Sequence, residues 1–217
     1  LNVYDFARFS ADYRRYYHLS PQTYFVWRLN GGVVHALTRT DDPATPIDDT
    51  QFIVPYDKSF FAGGSTSLRA WQPRRLGPGG YTPVRSNGGQ QVRDFLTEQP
   101  GELLLEGNVE YRFPLYSFIK GAVFTDFGNV WGLQERKDTQ GNYLRPGAQF
   151  QLNQFYRQIA VGSGLGVRFD FTFLILRLDI ATKIYDPTAF AGQQWALRSF
   201  NSTANPISFN LGIGYPF

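Results

Sequence analysis

Leu103-Leu104-Leu105-Glu106-Gly107-Asn108-Val109-Glu110-Tyr111-Arg112-Phe113 carries apolar residues or glycine at its odd positions, and Glu106, Asn108, Glu110 and Arg112 at even ones. Successive side chains of an extended chain point to opposite faces, so this period of two predicts a strand with one apolar and one polar face. The same alternation runs through seven segments, roughly 3–18, 22–38, 102–114, 118–132, 156–170, 172–185 and 205–217. In the fourth, Ile119, Gly121, Val123, Thr125 and Phe127 alternate with Lys120, Ala122, Phe124, Asp126 and Gly128. In the last, Ile207, Phe209, Leu211, Ile213, Tyr215 and Phe217 alternate with Ser208, Asn210, Gly212 and Gly214.

Each segment is about 11–16 residues long, against roughly 5–6 for a strand of a soluble sheet. That length suits a tilted membrane strand, which needs ~9–11 residues plus extensions beyond the bilayer. The 217 residues include 20 Phe, 13 Tyr, 4 Trp and 22 Gly, with hydrophobic residues at 42%, a composition that a soluble sandwich would share. Alternation alone does not orient the sheet either, because a polar face fits the outside of a soluble barrel equally well. No stretch approaches the ~20 apolar residues of a membrane helix; the densest run, Phe171 to Leu176, still contains Thr172.

The connections orient the sheet. Leu19-Ser20-Pro21-Gln22, Pro114-Leu115-Tyr116-Ser117 and Asp170-Phe171-Thr172 are tight, whereas 39–101, 133–155 and 186–204 are long. Strict short–long alternation is the pattern of periplasmic turns and outer loops in an outer-membrane barrel, and it puts the C-terminus on the periplasmic side. Tyr16, Tyr17, Trp27, Trp131, Tyr185, Tyr215 and Phe217 fall near strand ends, as interface girdles would. The expected fold is therefore an all-β, transmembrane antiparallel β-barrel, with residues 1–217 one part of it. Bacterial single-chain barrels carry an even number of strands and leave no open edge in lipid. Seven strands thus predict N-terminal partners from the same precursor or from another chain. The beginning Leu1-Asn2-Val3-Tyr4-Asp5 enters a strand pattern without a secretory signal, which also reads as the C-terminal piece of a longer precursor.

Other chemistries find little support. Cysteine is absent, so disulfides and thiolate-bound metals are excluded. His18 and His35 read as interface residues rather than ligands. A formal charge of +3, with acids and bases interspersed, implies no nucleic-acid partner. The pairs Asp41–Asp42 and Asp48–Asp49 read as a solvated outer loop rather than a calcium site. Gly162, Gly164 and Gly166 precede no helix, so a phosphate cradle is not expected; on the polar face they leave room for an incoming loop. No catalytic constellation and no cofactor are expected.

The 39–101 connection is too long for structureless chain in a compact domain. Its run Tyr56-Asp57-Lys58-Ser59-Phe60-Phe61-Ala62-Gly63-Gly64-Ser65-Thr66-Ser67-Leu68-Arg69-Ala70-Trp71, followed by Leu76-Gly77-Pro78-Gly79-Gly80, combines aromatics with turn glycines and predicts a folded loop. Phe60 to Trp71 resembles the F-x-G-G-x-x-S-x-R-G segment of the BamA/TamA superfamily of outer-membrane assembly barrels, the bacterial surface antigen family. Ala70 stands where that family has Gly, and Trp71 where it has Phe or Tyr; Ala70 would resist a positive φ there. Gly121 to Trp131 is similar to the family's F-x-D-x-G-N-V-W strand, Gly162 to Arg168 to its G-x-G-L-G-x-R strand, and Arg177-Leu178-Asp179 to the R-x-D that follows. These motifs stand in family order over nearly the whole chain. Val54-Pro55-Tyr56 and the run Phe60 to Ser65 are most similar to TamA-like or BamA-like members from Bacteroidota.

The resemblance implies the C-terminal seven strands of a barrel of about 16 strands, with the long loop folded into the lumen. There the motif Gly63, Gly64, Leu68, Arg69, Ala70 and Trp71 would dock on the wall. Parity names the partners: Phe124 and Asp126 share the polar face, and Glu110 lies on the same face of the neighbouring strand. Arg69 is expected to pair with Asp126 and Glu110 and to stack on Phe124. The end Asn210-Leu211-Gly212-Ile213-Gly214-Tyr215-Pro216-Phe217 fits the family's insertion signal, with Asn210, Gly212, Tyr215 and Phe217 in the patterned places. A strand edge can be augmented by another strand, and Gly212, Gly214 and Pro216 limit pairing there. The implied function is insertion of other β-barrels into the outer membrane, or export across it, through a weakly closed seam. The implied partners are outer-membrane lipid, client barrels or exported proteins, and accessory assembly subunits. The alternatives are a two-partner-secretion transporter and a passive, porin-like barrel.

Overall fold

The computed structural model describes residues 5–38, 53–138, 140–171, 173–196 and 207–217. The long alternating segments form β1 (Phe6–Ser20), β2 (Thr23–Ala36), β5 (Leu103–Tyr116), β6 (Ile119–Trp131), β7 (Ala160–Phe171), β8 (Leu174–Tyr185) and β9 (Ile207–Ile213). They make one seven-stranded sheet in the order β1-β2-β5-β6-β7-β8-β9, every pair antiparallel. It is a meander interrupted only by the long loop. Within that loop lies a hairpin that alternation did not predict, β3 (Val84–Asn87) with β4 (Gln90–Arg93). No helix among the described residues is long and apolar enough to cross a membrane.

The sheet is inside out by the standard of a soluble protein. On β5, Glu106, Asn108, Glu110 and Arg112 are buried, while Leu105 and Tyr111 are 37% and 41% exposed. On β8 and β9, Leu178, Ile180, Phe209, Leu211 and Ile213 are exposed, yet Arg177, Asp179 and Lys183 are buried. Cross-strand register keeps the polar set together: Asn108 faces Arg28 and Asp126, Gly166 faces Asp179, and Asp179 faces Asn210. A contiguous apolar face this large is tolerated where lipid rather than water covers it.

Several details depart from the sequence reading. The last strand does not extend over 205–217; β9 stops at Ile213, and Gly214 has φ +81, which turns the chain off the sheet. Residues 215–217 then cross the polar side, and Phe217 is buried rather than part of an aromatic girdle. Trp131 is also fully buried: Phe150 packs edge-on at 5.6 Å, and Gln158 Oε1 accepts from the indole N–H at 2.7 Å. The turn placed at Pro114–Ser117 is shorter, because β5 runs through Tyr116 and Ser117 (φ 47) makes the corner. Ala70 adopts no positive φ, so its Cβ carries no backbone strain. Asp41, Asp42, Asp48, Asp49 and Thr172 lie outside the described residues.

Candidate functional site

The loop from Ile53 to Glu102 packs on the polar face. Buried loop backbone needs partners, and the wall supplies side chains for them. Arg28 donates to the Thr66 carbonyl at 3.0 Å, Asn108 to Ser67 at 2.9 Å, Asn210 to Arg69 at 2.9 Å and Asn129 to Gly79 at 2.9 Å. Ser67 hydroxyl donates to Glu106 and accepts from the Gly63 N–H. Gly63 and Gly64 take φ +101 and +107, and a Cβ at Gly63 would stand 2.5 Å from the Gln72 carbonyl oxygen. The bend that presents residues 68–71 therefore requires glycine at that point. Leu68, Ala70 and Trp71 sink into a common apolar cluster with Phe60, Leu76, Val130 and Ala181.

Arg69, fully buried, is held by the wall as a planar fork. Its Nε and Nη2 donate to the two Asp126 oxygens at 2.9 and 2.8 Å, its Nη1 to Glu110 at 2.6 Å, and its backbone N–H to Asp126 at 3.0 Å. The guanidinium carbon lies 3.4 Å from the centre of the Phe124 ring. Lysine could supply the charge but not this combination of bidentate pairing and stacking. The four residues expected to meet, Arg69, Glu110, Phe124 and Asp126, are thus in direct contact.

Around them stands a larger ion cluster than parity suggested. Glu110 also accepts from Arg112 at 2.8 Å and Arg168 at 3.1 Å, and Arg168 donates to Asp179 at 2.6 Å. Arg177 is 3.4 Å from the other Asp179 oxygen. Arg112, Arg168 and Asp179 carried a sequence signal, since all have lumenal parity. Their mutual reach needed the β7–β8 register, which places Gly166 opposite Asp179 and so opens space for the Arg168–Asp179 pair. Of the three glycines on β7, Gly162 makes room for the loop itself: a Cβ there would be 2.6 Å from that of Ala70. Gly164 instead admits the Phe124 ring.

Of the residues in the final segment, Asn210 holds the Arg69 carbonyl and Gly212 lies against the Arg177 guanidinium. Tyr215 and Phe217 fold over Arg112 at 4.2 and 5.7 Å, and Phe217 comes within 5.8 Å of Arg69. A second anchor ties the loop hairpin to the end of β8: Arg93 donates to Asp186 at 3.1 Å and to Thr188 at 2.7 Å, and Lys183 donates to Asp186 at 3.2 Å. Burial raises the Asp186 pKa, but Lys183 and Arg93 outweigh it and hold the carboxyl well below the usual carboxylate range. No group of three or more His, Cys, Asp or Glu side chains suited to a metal occurs among the described residues.

An inverted antiparallel sheet whose polar face is filled by its own loop is the construction of a membrane-spanning β-barrel wall. The Omp85 superfamily domain matches residues 2–217, and the chain belongs to that superfamily, whose members are outer-membrane proteins acting in protein insertion or secretion. No curated protein matches the chain.

Proposed function

We propose that this chain is the seam-bearing part of an outer-membrane assembly factor, which inserts client β-barrels or passes exported proteins by strand pairing rather than by bond chemistry. The observation that carries the reading is an imbalance in how the wall is held. The Arg69 clasp fastens the loop to β5 and β6, and Asn210 extends it to β9. Among the described residues β9 meets β8 at seven positions, and Gly214, with φ +81, turns the chain off the sheet after Ile213. A rigid, loop-filled wall ending in a strand that Gly214 breaks off suits an edge that opens to a client strand. The loop-filled polar face disfavours a passive pore.

In this reading lipid covers the apolar face, the N-terminal strands of the precursor or another chain complete the wall, and accessory subunits assist. The tight turns face the periplasm, with Phe217 on that side. The test is insertion of a reporter β-barrel by the complete precursor in proteoliposomes, with and without Arg69→Ala, and with a crosslink between β9 and its neighbour. Insertion falling in both variants supports the reading. Insertion undiminished with the seam locked refutes it. Retained export of one dedicated substrate without barrel insertion would place the protein with two-partner-secretion transporters.

A further inference from the structure

Beside β9, on the polar face, lies a cavity of about 410 Å³ bordered by Trp71, Arg75, Arg93, Phe95, Ser208 and Asn210. That volume is within the ~300–1,000 Å³ of ligand sites. Three of its bordering side chains carry buried N–H donors with no partner among the described residues: Trp71 Nε1, Arg75 Nη1 and Arg93 Nε. Trp71 is 3% exposed and the Arg93 side chain 8%, so these donors face the cavity rather than bulk solvent. A buried donor left unpaired is costly, and three around one space call for an acceptor.

Charge points the same way. The cations here are Arg75, Arg93 and Lys183, and the carboxylates are Asp94 and Asp186, leaving one positive charge over. Both carboxylates are already engaged, Asp186 by Lys183, Arg93 and Thr188, and Asp94 by the Leu96 N–H and the Thr97 hydroxyl. The segment 197–206, which leads into β9, contains no Asp or Glu.

We propose that this cavity is an oxyanion site that takes a carboxylate, delivered by the polypeptide strand lying along the free edge of β9. In lipid that edge requires a partner strand, which would run ~4.8 Å from β9. Its lumen-facing side chains therefore fall beside Ser208 and Asn210, at the cavity mouth. One Asp or Glu among them balances the charge and accepts from the three orphan donors. A freely exchanging anion shares the chemistry, and the test separates the two sources. The inference requires the barrel wall but no insertion activity.

The reporter is the ¹⁵N–¹H resonance of the Trp71 indole in the full-length protein in nanodiscs, identified by its loss in Trp71→Phe. If the carboxylate is built into the neighbouring strand, sodium acetate and inorganic phosphate leave the resonance in place, and exchanging that strand's Asp and Glu one at a time for Asn or Gln shifts it in one variant. If the anion exchanges freely, acetate or phosphate shifts it saturably, and Arg75→Gln weakens that binding about tenfold. Arg75 makes no side-chain bond in the described residues, so an unchanged urea midpoint certifies the fold of Arg75→Gln. The proposal is overturned if neither probe nor any of these variants moves the resonance, or if a probe that does shift it binds with an affinity that Arg75→Gln leaves unaltered.

Discussion

Replacing Arg69 by alanine deprives its two hydrogen-bonded carboxylates very unequally, while Asp179, 3.7 Å away, keeps Arg168. Glu110 keeps Arg112 and Arg168, but Asp126 keeps no cation, only the Asn108 amide at 2.8 Å and the backbone N–H of residue 69 at 3.0 Å. The cost should therefore be that of one buried carboxylate stripped of its cation, about 3–5 kcal/mol, with the Phe124 stacking lost as well. The assay is urea unfolding of the complete precursor in detergent, paired with limited proteolysis of the 53–102 loop. Arg69→Ala should lower the midpoint and expose the loop. Arg69→Lys should recover only part, since an ammonium cannot form the fork. Because the damage is concentrated on Asp126, adding Asp126→Asn to Arg69→Ala should restore about 1–2 kcal/mol by removing the uncompensated charge. An Arg69→Ala protein with an unmoved midpoint and a protected loop would refute the clasp. A double variant weaker by the sum of the single losses would refute the assignment of that loss to Asp126.

Gly162→Val should push the loop off β7 through its contact with Ala70 and cost about 1–3 kcal/mol, read as faster loop cleavage; equal cleavage rates would contradict the close approach. Leu178→Lys on the apolar face should destabilise by about 2–4 kcal/mol in a bilayer, whereas Ser208→Lys at the polar face should be far milder, and reversed severity in vesicle unfolding would invert the sheet. The Asp186 anchor has a defined pH response. Its folded pKa is depressed, so its contribution is full above the unfolded value of about 3.9 and is lost only as pH falls through the lower folded value. Hydrogen exchange of residues 84–93 should stay protected at pH 7 and pH 5 and rise only well below about pH 4; protection lost between 7 and 5 would rule the anchor out.

The sheet was legible because a period of two needs only neighbouring residues to reveal it. That Arg69 docks on the wall was implied by the family resemblance, and parity then put Asp126, Phe124 and Glu110 on the one face it could meet. The Arg168–Asp179 pair was hidden because it depends on register between strands, which parity leaves free by steps of two. Trp131 was misplaced as a girdle residue since its cover, Phe150 and Gln158, comes from a loop that strand periodicity cannot position. Phe217 was misplaced because alternation was carried through Gly214, where a positive φ ends it. The β3–β4 hairpin did leave a trace, the Asn87-Gly88-Gly89 turn, but its four-residue strands are too short to show a period.

The clasp also makes the loop a tie between distant parts of the chain. Arg69 reaches Glu110 across 41 residues, Asp126 across 57 and Asn210 across 141. One side chain and its own carbonyl thereby fix the spacing of β5, β6 and β9 from the lumenal side, as a spoke sets the distance between points on a rim. Releasing that spoke should loosen the curvature of the sheet as well as the loop.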